Sequence, residues 1–119
     1  MSLCILSGAK LTTVAISLFT LSWTHSVEKI EWQENWRINN SNLEIVEARI
    51  KGSGAGMDPP ENAVLKNGWY VYKPQIGQIK ELNLSTSNTD LVNWKICFSG
   101  NCTILENNNQ KPIKIYACE

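Results

Sequence analysis

The period-two alternation in FTLSWTHS and IEWQENWRI, residues 19–26 and 30–38, constrains the fold more than any other feature of the chain. In an extended strand, successive side chains point to opposite faces. Phe19, Leu21, Trp23 and His25 therefore share one face, and Thr20, Ser22, Thr24 and Ser26 share the other. The second segment does the same with Ile30, Trp32, Glu34, Trp36 and Ile38. No window carries an apolar stripe at helical spacing over the length a stable helix needs. Strands are predicted over 3–6, 11–16, 19–26, 29–38, 43–51, 69–73, 82–85, 92–98, 103–105 and 112–117. Turns are predicted at Gly8-Ala9, 39–42, Asn67-Gly68, Ser99-Gly100 and 107–109, because Gly and Asn tolerate positive φ. The fold class is all-β: a single-domain antiparallel β-sandwich or barrel of about ten short strands. The segment GSGAGMDPPEN, 52–62, breaks the pattern, since its glycines and paired prolines weaken a ladder. It reads as a structured loop or a bulged edge.

At 119 residues and 43% hydrophobic content, the chain fits one core of ordinary size. Eleven basic residues balance eleven acidic ones, and no Lys/Arg run builds a local patch, so nucleic acid is not an expected partner. Four cysteines allow three pairings. Cys97 with Cys102 is favoured because ICFSGNC reads as a short hairpin, and Cys4 with Cys118 because that bond would tie the terminal strands together. Free thiols are the second reading and zinc the third, because the spacing lacks paired knuckles and the single His stands far from the cysteines. Paired cysteines place the domain in an oxidising, extracytoplasmic compartment, periplasmic or cell-surface. No segment reaches the roughly 18 uninterrupted apolar residues of a membrane helix, and 11–23 makes a poor signal peptide. An export signal or membrane anchor is therefore expected outside this chain, with residues 1–3 and Glu119 read as additions for expression.

The one histidine of the chain and three of its five tryptophans, Trp23, Trp32 and Trp36, lie within residues 19–38. His25 continues an apolar face and Glu34 interrupts one. If the two strands pair through a tight turn near Val27 and Glu28, imidazole and carboxylate share an aromatic environment, as a general base or a ligand-binding histidine requires. The plainer reading is a satisfied core histidine and an edge glutamate. A serine nucleophile at Ser26 does not fit, since adjacent strand residues point apart, and no G-x-S-x-G elbow is present. Glu28 reads as a turn cap. Glu47 and Arg49 are expected on the face of Leu43 and Ile45 as a lateral ion pair, running into the glycine loop at Gly54 and Gly56. That loop fails as a nucleotide fingerprint, because it neither opens a helix nor sits in a βαβ unit. No cofactor or metal is expected. Trp69, Tyr70, Tyr72 and Trp94 read as core and hairpin aromatics.

WTHSVEKIEWQENW (23–36), EARIKGSGAGMDPP (47–60), NGWYVY (67–72) and WKICFSGNC (94–102) together resemble the DUF1850 family, small bacterial and archaeal domains of unknown function. The resemblance implies an extracytoplasmic accessory domain accompanying a tripartite solute importer of the TRAP type, and no assigned catalytic residue. It points to His25, Ser26, Glu28, Glu34, Glu47, Gly54 and Gly56 as a functional face. The leading expectation is a non-catalytic domain docking onto the transporter membrane subunit or its solute-binding protein, joined to the membrane only through an absent anchor or fusion. The alternatives are a module binding a small organic acid or amino acid, with Trp23, Trp32 and Trp36 lining its pocket, and a hydrolase-like enzyme using His25 and Glu34.

Overall fold

The computed structural model describes residues 1–25, 29–52, 60–84, 91–105 and 112–119, excluding the side chains of residue 25 and residues 91–93. Its described residues form strands β1 (Ser2–Ser7), β2 (Lys10–Val14), β3 (Leu18–His25), β4 (Glu31–Asn39), β5 (Asn42–Lys51), β6 (Val64–Lys66), β7 (Trp69–Tyr72), β8 (Glu81–Leu84), β9 (Leu91–Phe98), β10 (Asn101–Ile104) and β11 (Ile113–Cys118). They make two antiparallel sheets, one of four strands ordered β2-β1-β11-β8 and one of seven ordered β10-β9-β3-β4-β5-β7-β6. The all-β expectation is met, as two packed sheets rather than a closed barrel. Each predicted strand has a counterpart. The strand that alternation did not reveal is β6, three exposed residues too short to show a period.

Turn chemistry sets the hairpin registers. Asn67 and Gly68 between β6 and β7 have φ of 52° and 86°, and Ser99 and Gly100 between β9 and β10 have 52° and 82°. Two consecutive left-handed residues match the right-handed twist of the flanking strands, which is why Asn and Gly recur at such positions.

The core lies between the sheets. Leu3, Ile5, Leu84, Ile113 and Ile115 of the smaller sheet meet Phe19, Leu21, Trp36, Leu43, Ile45 and Ile96 of the larger one, all buried. Each such side chain contributes roughly 1.5–3 kcal/mol on full burial. Leu3, read from sequence as part of an expression leader, is wholly buried within β1.

Within the larger sheet, β5 carries a bulge. Asn35 pairs with Glu47 and Trp36 with Ile45, so Val46 is an extra residue that opposes nothing and is exposed. One added residue reverses the facing of everything after it. Leu43 and Ile45 are buried before the bulge, and Ala48 and Ile50 after it. This corrects the expected placement of Glu47 and Arg49: they lie on the outer face, opposite Leu43 and Ile45. They still form the lateral ion pair, Arg49 Nη1 to Glu47 Oε2 at 3.0 Å.

Both favoured cystine pairings are present, and the described residues include no free cysteine. Cys4 and Cys118 join adjacent strands β1 and β11 with Cα atoms 5.9 Å apart and a sequence separation of 114. Cys97 and Cys102 face each other across the β9–β10 hairpin, five residues apart in sequence. In the loop-entropy account the long closure contributes about 5 kcal/mol and the short one about 2. Urea unfolding should therefore show the larger loss for Cys4→Ser with Cys118→Ser and the smaller for Cys97→Ser with Cys102→Ser. The reverse order would contradict the account.

Candidate functional site

Strands β3 and β4 pair Phe19 with Trp36, Leu21 with Glu34 and Trp23 with Trp32. The inner face thus runs from a sealed apolar end to an aromatic end that is only half-buried. Trp36 is 2% exposed and belongs to the core. Beyond Glu34, Trp23 and Trp32 are partly exposed. Their rings stack with centroids 5.9 Å apart, and Trp94 of β9 lies 5.1 Å from Trp23 on its other side. A register shift between β3 and β9 in this stretch, between the pairs Ser22–Lys95 and Thr24–Val92, adds a residue to β9 beside Trp23. The expected ligand-lining trio is corrected accordingly: Trp36 is withdrawn into the core, and Trp94 takes the outer position.

Glu34 stands at the boundary between these two ends. Trp36 Nε1 donates to its Oε1 at 3.1 Å. Across the sheet, Glu34 pairs with Ala48 and Ala48 with Tyr72. Alanine leaves room above itself, so carboxylate and phenol sense one another. Burial raises the Glu34 pKa above the ordinary carboxylate value, against the smaller lowering effect of the Trp36 hydrogen bond. Burial also raises the Tyr72 pKa, and the charge of Glu34 adds to it.

Trp32 Nε1 is buried and finds no hydrogen-bond acceptor among the described residues. A desolvated N–H left unpaired costs about 1–3 kcal/mol, so native structures hold few of them. The described part of this face therefore offers a stacked aromatic wall, one unsatisfied donor and one desolvated carboxylate.

The backbone of His25 closes β3, paired with Leu91, and its side chain lies outside the described residues. It is four residues beyond Leu21, the partner of Glu34, which is roughly 13 Å along a strand. The Trp23–Trp32 pair lies between the two positions. Ser26, Glu28, Gly54 and Gly56 also lie outside the described residues. Glu47 belongs to the other face, where Arg49 donates to it and, through Nε and Nη2, to Gln33 Oε1 at 3.1 and 2.7 Å. No group of residues able to hold a metal ion occurs among the described residues. No helix among them is long and apolar enough to cross a membrane.

The raised Glu34 pKa links to stability with a definite sign. The folded state binds the proton more tightly than the unfolded chain, so stability falls as pH rises from the ordinary carboxyl value of 4.5 through the folded value. Glu34→Gln keeps an acceptor for Trp36 and removes the charge. Thermal unfolding should find this variant more stable than the parent at pH 7, with the gain vanishing near pH 4, and ultraviolet titration should find Tyr72 ionising at lower pH. A gain that persists unchanged in acid would rule out the desolvated charge as its cause.

The family model for the domain of unknown function DUF1850 matches residues 19–105, from β3 through the end of β10. Comparison with curated proteins and with solved structures returned no match. The segments carrying the aromatic wall, Glu34 and the Arg49 network all fall inside the matched region, and the chain belongs to the DUF1850 family.

Proposed function

We propose that this protein is a non-catalytic, extracytoplasmic module that binds a small amino-bearing acid at the inner-face aromatic end. The observation that carries the reading is the pair of unmet demands on adjacent inward positions of β4. Trp32 Nε1 lacks an acceptor among the described residues, and Glu34 is a half-buried carboxylate whose charge is poorly solvated. An amino acid meets both at once, its carboxylate accepting from the indole and its ammonium ion compensating Glu34. Its apolar part would rest on the tryptophan rings, whose faces also attract a cation. The two disulfides fit an oxidising compartment. Service beside a solute importer of the TRAP type is what the sequence resemblance suggests for such a module.

Titrating tryptophan fluorescence with a panel of amino acids, simple amines and dicarboxylic acids tests the reading. A saturable response to amino acids is expected. Trp32→Phe keeps the ring and removes the donor, and it should weaken binding about tenfold or more; Glu34→Gln should do the same. A flat response across the panel, or one that neither substitution alters, would sink the proposal.

A further inference from the structure

The larger sheet presents a second, separately built surface on its opposite face. Gln33, Glu47, Arg49, Lys66, Asn67, Trp69 and Val71 line a concavity of about 580 Å³ there. We propose that this concavity is a binding site for a neutral sugar ring, with Trp69 taking its C–H face and the Arg49 network its hydroxyl groups. This inference stands independently of the inner-face reading.

Three observations carry it. First, the polar groups are already fixed before any ligand arrives. Arg49 spans Gln33 and Glu47 and also reaches Asn35 Oδ1 at 3.4 Å. Asn35 Oδ1 in turn accepts from Thr20 Oγ1 at 2.7 Å, and Gln33 Nε2 donates to Glu31 Oε2 at 2.9 Å. This layer is dense enough that Ser22, which pairs with Gln33, is only 2% exposed. Planar side chains locked to one another lose little freedom when they bind, which is how a shallow site holds a weakly apolar ligand.

Second, the valences that remain are mixed in kind. The bonds above use Oε2 of Glu47 and the carbonyl oxygens of Gln33 and Asn35. Among the described residues, the other oxygen of Glu47 accepts from nothing, and the Lys66 ammonium ion donates to nothing. An anion here would meet Glu47, and a cation would meet Arg49 and Lys66. A hydroxyl both donates and accepts, so it matches the whole set without bringing a like charge toward any member.

Third, the ring is presented beside these groups and stiffened. Trp69 pairs with Lys51 on one strand and Lys66 on the other, and Lys51 Nζ sits 5.0 Å from its ring centroid. An indole next to fixed donors and acceptors offers the two contacts that a sugar ring presents, an apolar face and a polar rim.

The test uses the full chain labelled with nitrogen-15, its Trp69 indole signal assigned by Trp69→Phe. Cellobiose and N-acetylglucosamine are the neutral probes, with galacturonate and sulfate as charged ones. The neutral sugars should shift the Trp69 indole and Arg49 Nε–H signals while leaving those of Trp23 and Trp32 unmoved. Trp69→Ala should weaken this binding about tenfold or more. Should that variant lose its native spectrum, Glu47→Ala, at a partly exposed position, supplies the same measurement and the same expectation. The proposal is overturned by any of three results: neither sugar shifts these signals at tens of millimolar, the charged probes alone shift them, or the sugars act on Trp23 and Trp32 instead.

Discussion

Both faces of the larger sheet depend on how β5 pairs with β4. The pairs Trp36–Ile45 and Asn35–Glu47 leave Val46 between them without a partner. With Val46 uncounted, Leu43, Ile45, Ala48 and Ile50 form one continuous inward row, and Glu44, Glu47 and Arg49 form the outward one. Counted as an ordinary strand residue, Val46 would instead turn Arg49 and Glu47 toward Trp36 and the core. Burying that ion pair would cost several kcal/mol per charge before any return from their attraction. The bulge thus keeps the charges in the outer network, and it is also why Ala48, the smallest inward side chain available, falls between Glu34 and Tyr72.

Burial falls along β3 and β4 from Phe19 and Trp36 toward Trp23 and Trp32. The smaller sheet's inward residues Leu3, Ile5, Ile113 and Ile115 cover Phe19, Leu21 and Trp36. The rings of Trp23 and Trp94 pack against that core yet stay partly exposed, and Trp32, also partly exposed, stacks on Trp23. Glu34 sits at the transition, held by Trp36 from the sealed side. Its raised pKa follows from that position, and its neighbour Trp32 bears a donor unpaired among the described residues.

Much of this was legible in the residues. Alternation placed Phe19, Leu21, Trp23, Trp32, Glu34 and Trp36 on inward rows, and Asn-Gly and Ser-Gly marked the β6–β7 and β9–β10 hairpins, because period and turn chemistry are local properties. The facing of Glu47 and Arg49 was not, since a bulge leaves no mark in a stretch such as EIVEAR, where every residue suits a strand. Nor could alternation rank the tryptophans: Trp36 and Trp32 have the same pattern around them, and only the reach of the second sheet separates the core ring from the accessible one. The outer network was hidden for the same reason. Gln33, Arg49 and Trp69 are far apart in sequence, and only the strand order β4-β5-β7 brings them together.

That strand order also explains the division of labour between the ends of the chain and its middle. The matched family region, 19–105, contains the seven-stranded sheet except Leu18, and β8, with both candidate surfaces. The strands outside it, β1, β2 and β11, carry none of the residues of either surface, yet they bring Leu3, Ile5, Ile113 and Ile115 to the core. A sheet with one uncovered apolar face cannot stand in water, so both surfaces depend on the cover that the terminal strands supply. The Cys4–Cys118 bond joins the first and last strands of the chain to each other. By lowering the entropy of the unfolded chain it favours their docking, while the Cys97–Cys102 bond acts within the β9–β10 hairpin, whose first strand carries Trp94. Reduction should therefore undermine both surfaces mainly through the terminal bond, by loosening the cover over Phe19 and Trp36 rather than by touching Glu34 or Arg49.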